Sequence, residues 1–193
     1  SILYSNLQEI KYLIGKLLNI RNYILRKKRI SNFIKKNNFI KVQFGAGSGK
    51  LGEASKTSLS GYLDTDIFGQ VPIDINYKLP FKDKSLDIIF NSHLIEHIYQ
   101  RKIDLFLKES FRVLKKGGLL ITATPTYTKI IDGLYGNDIS KKKLIFDNHK
   151  ISLNNRKPTP ARIINCLSHI NYGHKFILDF ETYKDIAYSA GFS

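Results

Sequence analysis

Cysteine is almost missing from this chain of 193 residues. The only one, Cys166, can close no internal disulfide and has no neighbouring cysteine for a metal site, so the apolar stretch Ile163 to Leu167 predicts a buried, inert thiol. Also lacking is any uninterrupted apolar run of the roughly 18 to 20 residues that a membrane span needs. The N-terminus shows none of the charged, apolar and small-residue order of a signal peptide, and a cytoplasmic location is the expectation. Acidic side chains are scarce, 16 against 31 Lys and Arg, which leaves a formal charge of +15. A surplus of this size attracts phosphate over about a Debye length. Lysine heavily outnumbers arginine, however, and isoleucine and asparagine are abundant, the joint bias of AT-rich codons. Specific nucleic-acid recognition leans on arginine's planar fork, so a nucleic-acid partner stays open without being favoured.

What is present suffices for one compact domain, since 42% of the residues are hydrophobic and 12% aromatic. Residues 2–36 carry apolar positions at helical spacing, among them Leu7, Ile10, Ile14, Leu17, Leu18, Tyr23, Ile24, Ile30 and Phe33. Two or three short amphipathic helices fit, forming an N-terminal cap over residues 1–38 against a main unit of 39–193. The interspersed cluster Arg21, Arg26, Lys27, Lys28 and Arg29 reads as a solvated face, with a membrane-surface or phosphate-binding arm as the alternative.

Strand signals then recur at Phe39–Phe44, Gly61–Ile67, Val71–Ile75, Leu86–Asn91 and Leu119–Ala123. A long helix is expected over Leu94–Leu114, closed by Lys115, Lys116 and a left-handed Gly117-Gly118. Residues 126–160 mix glycine, asparagine, lysine and proline and read as a long loop region beside a pocket, and a last helix spans Phe180 to Ala190 before Gly191. Strands alternating with helices argue for an α/β, Rossmann-like, doubly wound and mainly parallel sheet with helices on both faces.

The strongest local signal is Gln43-Phe44-Gly45-Ala46-Gly47-Ser48-Gly49 directly after a strand. Glycines there let the backbone turn sharply and approach a ligand where a Cβ would collide. A Walker-type loop is disfavoured because Phe44 holds its first glycine position and Leu51 its magnesium-binding hydroxyl, which makes Gly49-Lys50 read as coincidence. A dinucleotide loop wants a further glycine at position 50, which is Lys50. The second signal is a carboxylate about 20 residues on, at the end of the next strand, which can accept both hydroxyls of a ribose. Asp66 is the choice, with Asp64 on the same face of the strand as the alternative.

These motifs, with Asp74, Leu79-Pro80-Phe81, Ser85-Leu86-Asp87, Ser92-His93-Leu94-Ile95-Glu96-His97 and Arg112 to Gly118, together resemble the class I S-adenosylmethionine-dependent methyltransferases. The likeness is nearest to a small branch with a Leu-Glu-His type element after the fourth strand, and covers roughly residues 40–125 with an echo in His174 to Phe192. It implies S-adenosylmethionine as cofactor, held by Gln43, Gly45, Ala46, Gly47, Gly49, Asp66 and Ile67, with Asp74 near the adenine between Ile73 and Ile75. Asn91, Ser92 and His93 are placed beside the methyl donor. Gln43 stands where most members have an acidic residue, and a neutral amide still accepts a hydrogen bond. Members continue past their final Gly-Phe with an antiparallel strand pair, so an end at Ser193 implies a truncation or an altered sheet edge.

In-line methyl transfer needs alignment, plus a base when the acceptor is a hydroxyl. His93 is the first candidate base and His97, a turn later, the second; the competing reading for each is a helix cap or backbone partner. His149, His169 and His174 lack metal-like spacing to acidic or cysteine partners and are read as structural, with no metal expected. Tyr127 and Tyr135 are candidates for the wall of an acceptor pocket. A small-molecule or saccharide-like acceptor is favoured because the fourth strand ends in Asn91-Ser92-His93 rather than a base-flipping Asn-Pro-Pro-Tyr element. An RNA or DNA methyltransferase and a non-catalytic cofactor-binding interaction domain are the alternatives.

Overall fold

The structure is a computed structural model. It describes residues 22–47, 59–149, 157, 159–166, 168 and 173–193. The first described element is a helix over 22–36 (α1), which sends Ile30 into the core and packs Phe33 and Ile34 against it. Two members of the basic cluster have a structural task there. The Arg26 guanidinium donates to the Pro72 carbonyl at 3.3 Å, and that of Arg29 to the Gln70 carbonyl, tying α1 to the 70–72 segment.

Four parallel strands follow: β1 Lys41–Phe44, β2 Tyr62–Thr65, β3 Leu86–Ser92 and β4 Leu114–Ala123, in the spatial order β2-β1-β3-β4. The chain leaves β1 for one side and later returns on the other, which creates the switch point where open α/β sheets bind ligands at their carboxyl edge. Alternation places Val42, Phe44, Ile89, Asn91, Leu120 and Thr122 on one face. That face is covered by α2 (Gln100–Val113), whose Ile103, Phe106, Leu107, Ser110 and Val113 form a buried stripe at helical spacing. Phe106 meets Phe44 edge to face at 5.6 Å, and Tyr183 of α6 (Phe180–Ala190) reaches Thr122. On the opposite face Leu119 and Ile121 remain exposed. These elements form a Rossmann-like α/β fold. Among the described residues no helix is long and apolar enough to cross a membrane.

The structure differs from the sequence expectation at four places. Val71–Ile75 is buried but forms no strand: Val71 and Ile73 bond backbone to backbone with Asp66, so the segment folds over the end of β2 instead of lying beside it, and Pro72 brings no donor to a ladder. The helix expected over Leu94–Leu114 is interrupted. A short 3-10 turn at Ile95–His97 precedes α2, and Tyr99 between them is extended. β4 begins at Leu114 rather than Leu119 because residues 115–118 loop out of the ladder between the Leu86–Leu114 and Ile88–Leu119 pairings. Gly117 takes the expected left-handed conformation in that excursion, and Lys115 reaches back to both oxygens of Asp87 at 2.8 Å. Finally, the region 126–160 read as loop contains α3 (Tyr127–Tyr135) and α4 (Ile139–His149), with α5 (Pro160–Asn165) beginning at its end. Thr126 starts α3 by accepting the Lys129 N–H, and Thr159 does the same for Arg162 in α5. The expected last helix is α6 with its bounds unchanged, opened by Asp179 and closed by a left-handed Gly191. Cys166 is buried and forms no disulfide.

Candidate active site

Because all four strands run the same way, the residues that follow them meet at one edge. Gly45–Gly47 follow β1, Asp66 follows β2, His93 follows β3 and Thr124 follows β4. Backbone bonds lace these ends together: Ala46 N–H donates to the Thr65 carbonyl at 3.1 Å, and His93 N–H to the Ala123 carbonyl at 2.9 Å.

Gly45 and Gly47 both have left-handed backbones, with φ of +71° and +77°. The bend they make aims the Gly47 N–H at Oδ2 of Asp66, 3.1 Å away, while Oδ1 of Asp66 accepts the Phe68 N–H at 3.0 Å. Ala46, Gly47, Asp64, Asp66, Gly69 and Val71 line a cavity of about 240 Å³ there. Glycine turn and carboxylate therefore stand together. Gly49 lies outside the described residues. Gln43 is buried on the face of β1 opposite Phe44. Ile67 is exposed and shares a separate cavity of about 390 Å³ with Asp74, Ile73 and Tyr23. The Asp74 carboxylate closes on its own loop, accepting the backbone and side-chain N–H of Asn76 at 2.9 and 2.8 Å. Ile73 and Ile75 are buried in the core.

Asn91 is fully buried, and its amide donates to Thr122 Oγ1 at 2.9 Å. Thr122 in turn shares a hydrogen bond of 2.8 Å with the Tyr183 hydroxyl. Burial pushes the Tyr183 phenol above its ordinary pKa, and the bond to Thr122 offsets only part of that. Asn91 Oδ1 is buried without a hydrogen bond among the described residues. Ser92 is half-buried on the other face.

His93 is the residue of this edge with the least ordinary backbone, since φ of +50° is rare outside glycine. Its imidazole is 73% exposed, and Nδ1 lies 3.2 Å from Oε1 of the buried Glu96. The other Glu96 oxygen accepts from Thr124 Oγ1 at 2.9 Å. His97 is exposed and meets the ring of His174 edge to face at 4.9 Å. His174, read as structural for want of metal-like spacing, lies beside Glu96 and His97, because the Lys175 and Phe176 N–H groups donate to the Glu96 carbonyl at 2.7 and 3.2 Å. His169 is outside the described residues, as is the His149 side chain. Tyr127 donates to or accepts from Ser168 at 2.9 Å, and Tyr135 is exposed. The contacts of Leu94, Thr124, His174 and Tyr183 had no signal in local spacing, because each is made across the sheet or between distant segments.

Comparison with known proteins finds three likenesses. Residues 66–122 match the family described as "Methyltransferase domain". A protein of Mycolicibacterium smegmatis named "Probable S-adenosylmethionine-dependent methyltransferase" is 40% identical over 48 residues, which is 25% of this chain and 18% of that relative. The match thus spans about a fifth of the relative's length. A solved structure described as "PigF with SAH" superposes with a TM-score of 0.43 at 14% identity, covering 90% of this chain and 60% of the other. The segment similar to the methyltransferase domain runs from Asp66 at the end of β2 through β3 and α2 to Thr122 in β4.

Proposed function

We propose that this chain binds S-adenosylmethionine at the edge formed by Gly45–Gly47 and Asp66 and transfers its methyl group to a small-molecule or saccharide-like acceptor. The observation that carries the reading is the bond between the Gly47 N–H and Asp66 Oδ2 at 3.1 Å, which joins the glycine turn to the carboxylate. A carboxylate offers about four lone-pair sites. Gly47 and Phe68 take one on each oxygen of Asp66, so each oxygen keeps one for a ribose hydroxyl. Leu63 and Val71 supply apolar walls to the same cavity, which suits a nucleoside. Asn91 Oδ1, buried and without a hydrogen bond among the described residues, is a further acceptor for a cofactor donor at the switch point.

The sulfonium of the cofactor makes its methyl electrophilic. The protein's part is to orient the acceptor against it and to take the acceptor's proton when that acceptor is a hydroxyl. His93 is suited to the second task, with an exposed imidazole whose Nδ1 side faces the Glu96 carboxylate. A small acceptor is favoured over a nucleic acid because Arg26 and Arg29 already hold backbone carbonyls.

Calorimetric titration with S-adenosylmethionine and its demethylated product, on the native chain and on Asp66→Ala, tests the cofactor reading. Loss of affinity confined to the variant is expected. Equal affinity in both removes Asp66 from the site, and no binding in either sinks the reading. Methyl transfer from labelled cofactor to saccharides, set against RNA and DNA over a salt series, tests the acceptor; salt-sensitive transfer to a nucleic acid overturns the small-molecule choice.

A further inference from the structure

The ligand atoms offered by Glu96, His97 and His174 all lie within 4.8 Å of one another. We infer that these three side chains form a site for one divalent transition-metal ion of the zinc type, at the carboxyl edge of the sheet beside His93. This goes beyond the methyltransferase reading and does not depend on it.

The donor set comes first. Two imidazoles and one carboxylate are the ligands that a borderline-soft dication prefers, and three protein ligands leave a coordination position for water or an oxygen of a bound molecule. Glu96 supplies the second, independent observation. Its side chain has no exposure, and its Oε1 accepts no aligned hydrogen bond among the described residues. A carboxylate withdrawn from water needs a compensating positive charge, and a bound dication supplies one.

The groups that orient metal ligands are also in place. Thr124 Oγ1 holds Oε2 of Glu96 at 2.9 Å, the kind of bond that fixes a ligating carboxylate, and Oε1 is left without an aligned donor among the described residues. The Lys175 and Phe176 N–H groups clasp the Glu96 carbonyl, so His174 is carried on a segment anchored to the same turn. His93, with its left-handed backbone, holds its Nδ1 3.2 Å from Oε1 at the edge of the cluster. Ligands of one tetrahedral zinc stand about 3.3 Å apart for bonds of about 2.0 Å. The exposed His97 ring is the ligand with room to adjust toward that spacing, since Glu96 and His174 are buried.

The test uses the full chain, freed of metal by a chelator and without cofactor. Zn²⁺ is titrated calorimetrically, and Co²⁺ is added to read its visible d–d absorption. One equivalent of Zn²⁺ is expected, with a Co²⁺ spectrum of a four- or five-coordinate site. His97→Ala and His174→Ala should each weaken Zn²⁺ at least tenfold and abolish the Zn²⁺-induced rise in melting temperature, whereas the double substitution of His149 and His169 by Ala should change neither. His97 is exposed, so His97→Ala remains informative if His174→Ala fails to fold. Absence of Zn²⁺ binding, unchanged affinity in folded His97→Ala, or loss of binding in the His149/His169 variant overturns the site. Cofactor affinity measured on the same preparations keeps the two readings apart: binding of cofactor without Zn²⁺ sinks only the metal site, and binding of Zn²⁺ without cofactor sinks only the methyltransferase reading.

Discussion

Leu94 occupies the space that a side chain on Gly45 would fill: a Cβ built there would stand 3.0 Å from Leu94 Cδ1. Gly45 is thus used twice, once for its left-handed φ of +71° and once to let the turn after β3 close on the turn after β1. Gly45→Ala should lower stability by about 1–2 kcal/mol from the left-handed backbone alone. The contact adds to this, and in a double-mutant cycle Leu94→Ala should relieve that added part and leave the backbone part. Denaturant unfolding of the four proteins gives both. Strictly additive effects would show that the contact with Leu94 carries no weight.

The buried Asn91 and the half-buried Thr122 and Tyr183 link β3, β4 and α6 through bonds of 2.9 and 2.8 Å. Tyr183→Phe removes one hydrogen bond and should destabilise by about 1 kcal/mol. Thr122→Val breaks both bonds and leaves the buried Asn91 amide and the half-buried Tyr183 hydroxyl facing a methyl, so a larger loss of about 2–3 kcal/mol is expected in chemical denaturation.

Glu109 and Arg112 clamp the end of α2 to residues 79–83. Glu109 accepts from Arg112 at 2.6 and 2.9 Å and from the Leu79 N–H at 2.8 Å, and Arg112 donates to the Leu79 and Phe81 carbonyls and to Asp83. The Arg112 hydrogen bonds hold the Glu109 carboxyl below its ordinary value of 4.5, against the upward pull of burial. A folded-state pKa that is depressed contributes stability above the unfolded value, and that stability drains away as pH falls below 4.5 through the folded value. Glu109→Gln should therefore cost about 1.5–3 kcal/mol at neutral pH. The gap to the native protein should narrow steadily in urea titrations carried to lower pH. A gap independent of pH would assign the loss to packing.

Gly191 ends α6 with φ of +108°, and a Cβ there would stand 2.8 Å from the Phe111 ring. Gly191→Ala should strain both the helix cap and the Phe111–Phe192 contact, lowering stability by more than the roughly 1–2 kcal/mol of a left-handed alanine. Thermal melting reads the loss directly. A change under 0.5 kcal/mol, the range of an ordinary surface substitution, would show that the cap is dispensable.

Much of this protein could be read from residue order because the cause of each feature is local. A glycine tolerates positive φ wherever it occurs, which made the bend at Gly45–Gly47, the left-handed backbone of Gly117 and the stop at Gly191 legible. Apolar runs likewise announced β1, β2 and β3, and helical spacing announced α6. The carboxylate of Asp66 was found by its distance from the glycines, since one strand, one connection and a second strand take up a nearly constant length of chain. Local pattern failed where a segment's neighbours decide its shape: Val71–Ile75 has strand composition but wraps onto Asp66, and α3 and α4 form in a stretch rich in loop residues.

The side-chain meetings belong to the tertiary structure alone. Residue type announced a histidine at position 174 and a glutamate at position 96, and their spacing argued against any joint role. They meet because the Glu96 carbonyl takes two N–H groups from the segment that carries His174. A backbone carbonyl is the same at every position, so no feature of the residue order marks which one a distant segment will find; chain closure decides that.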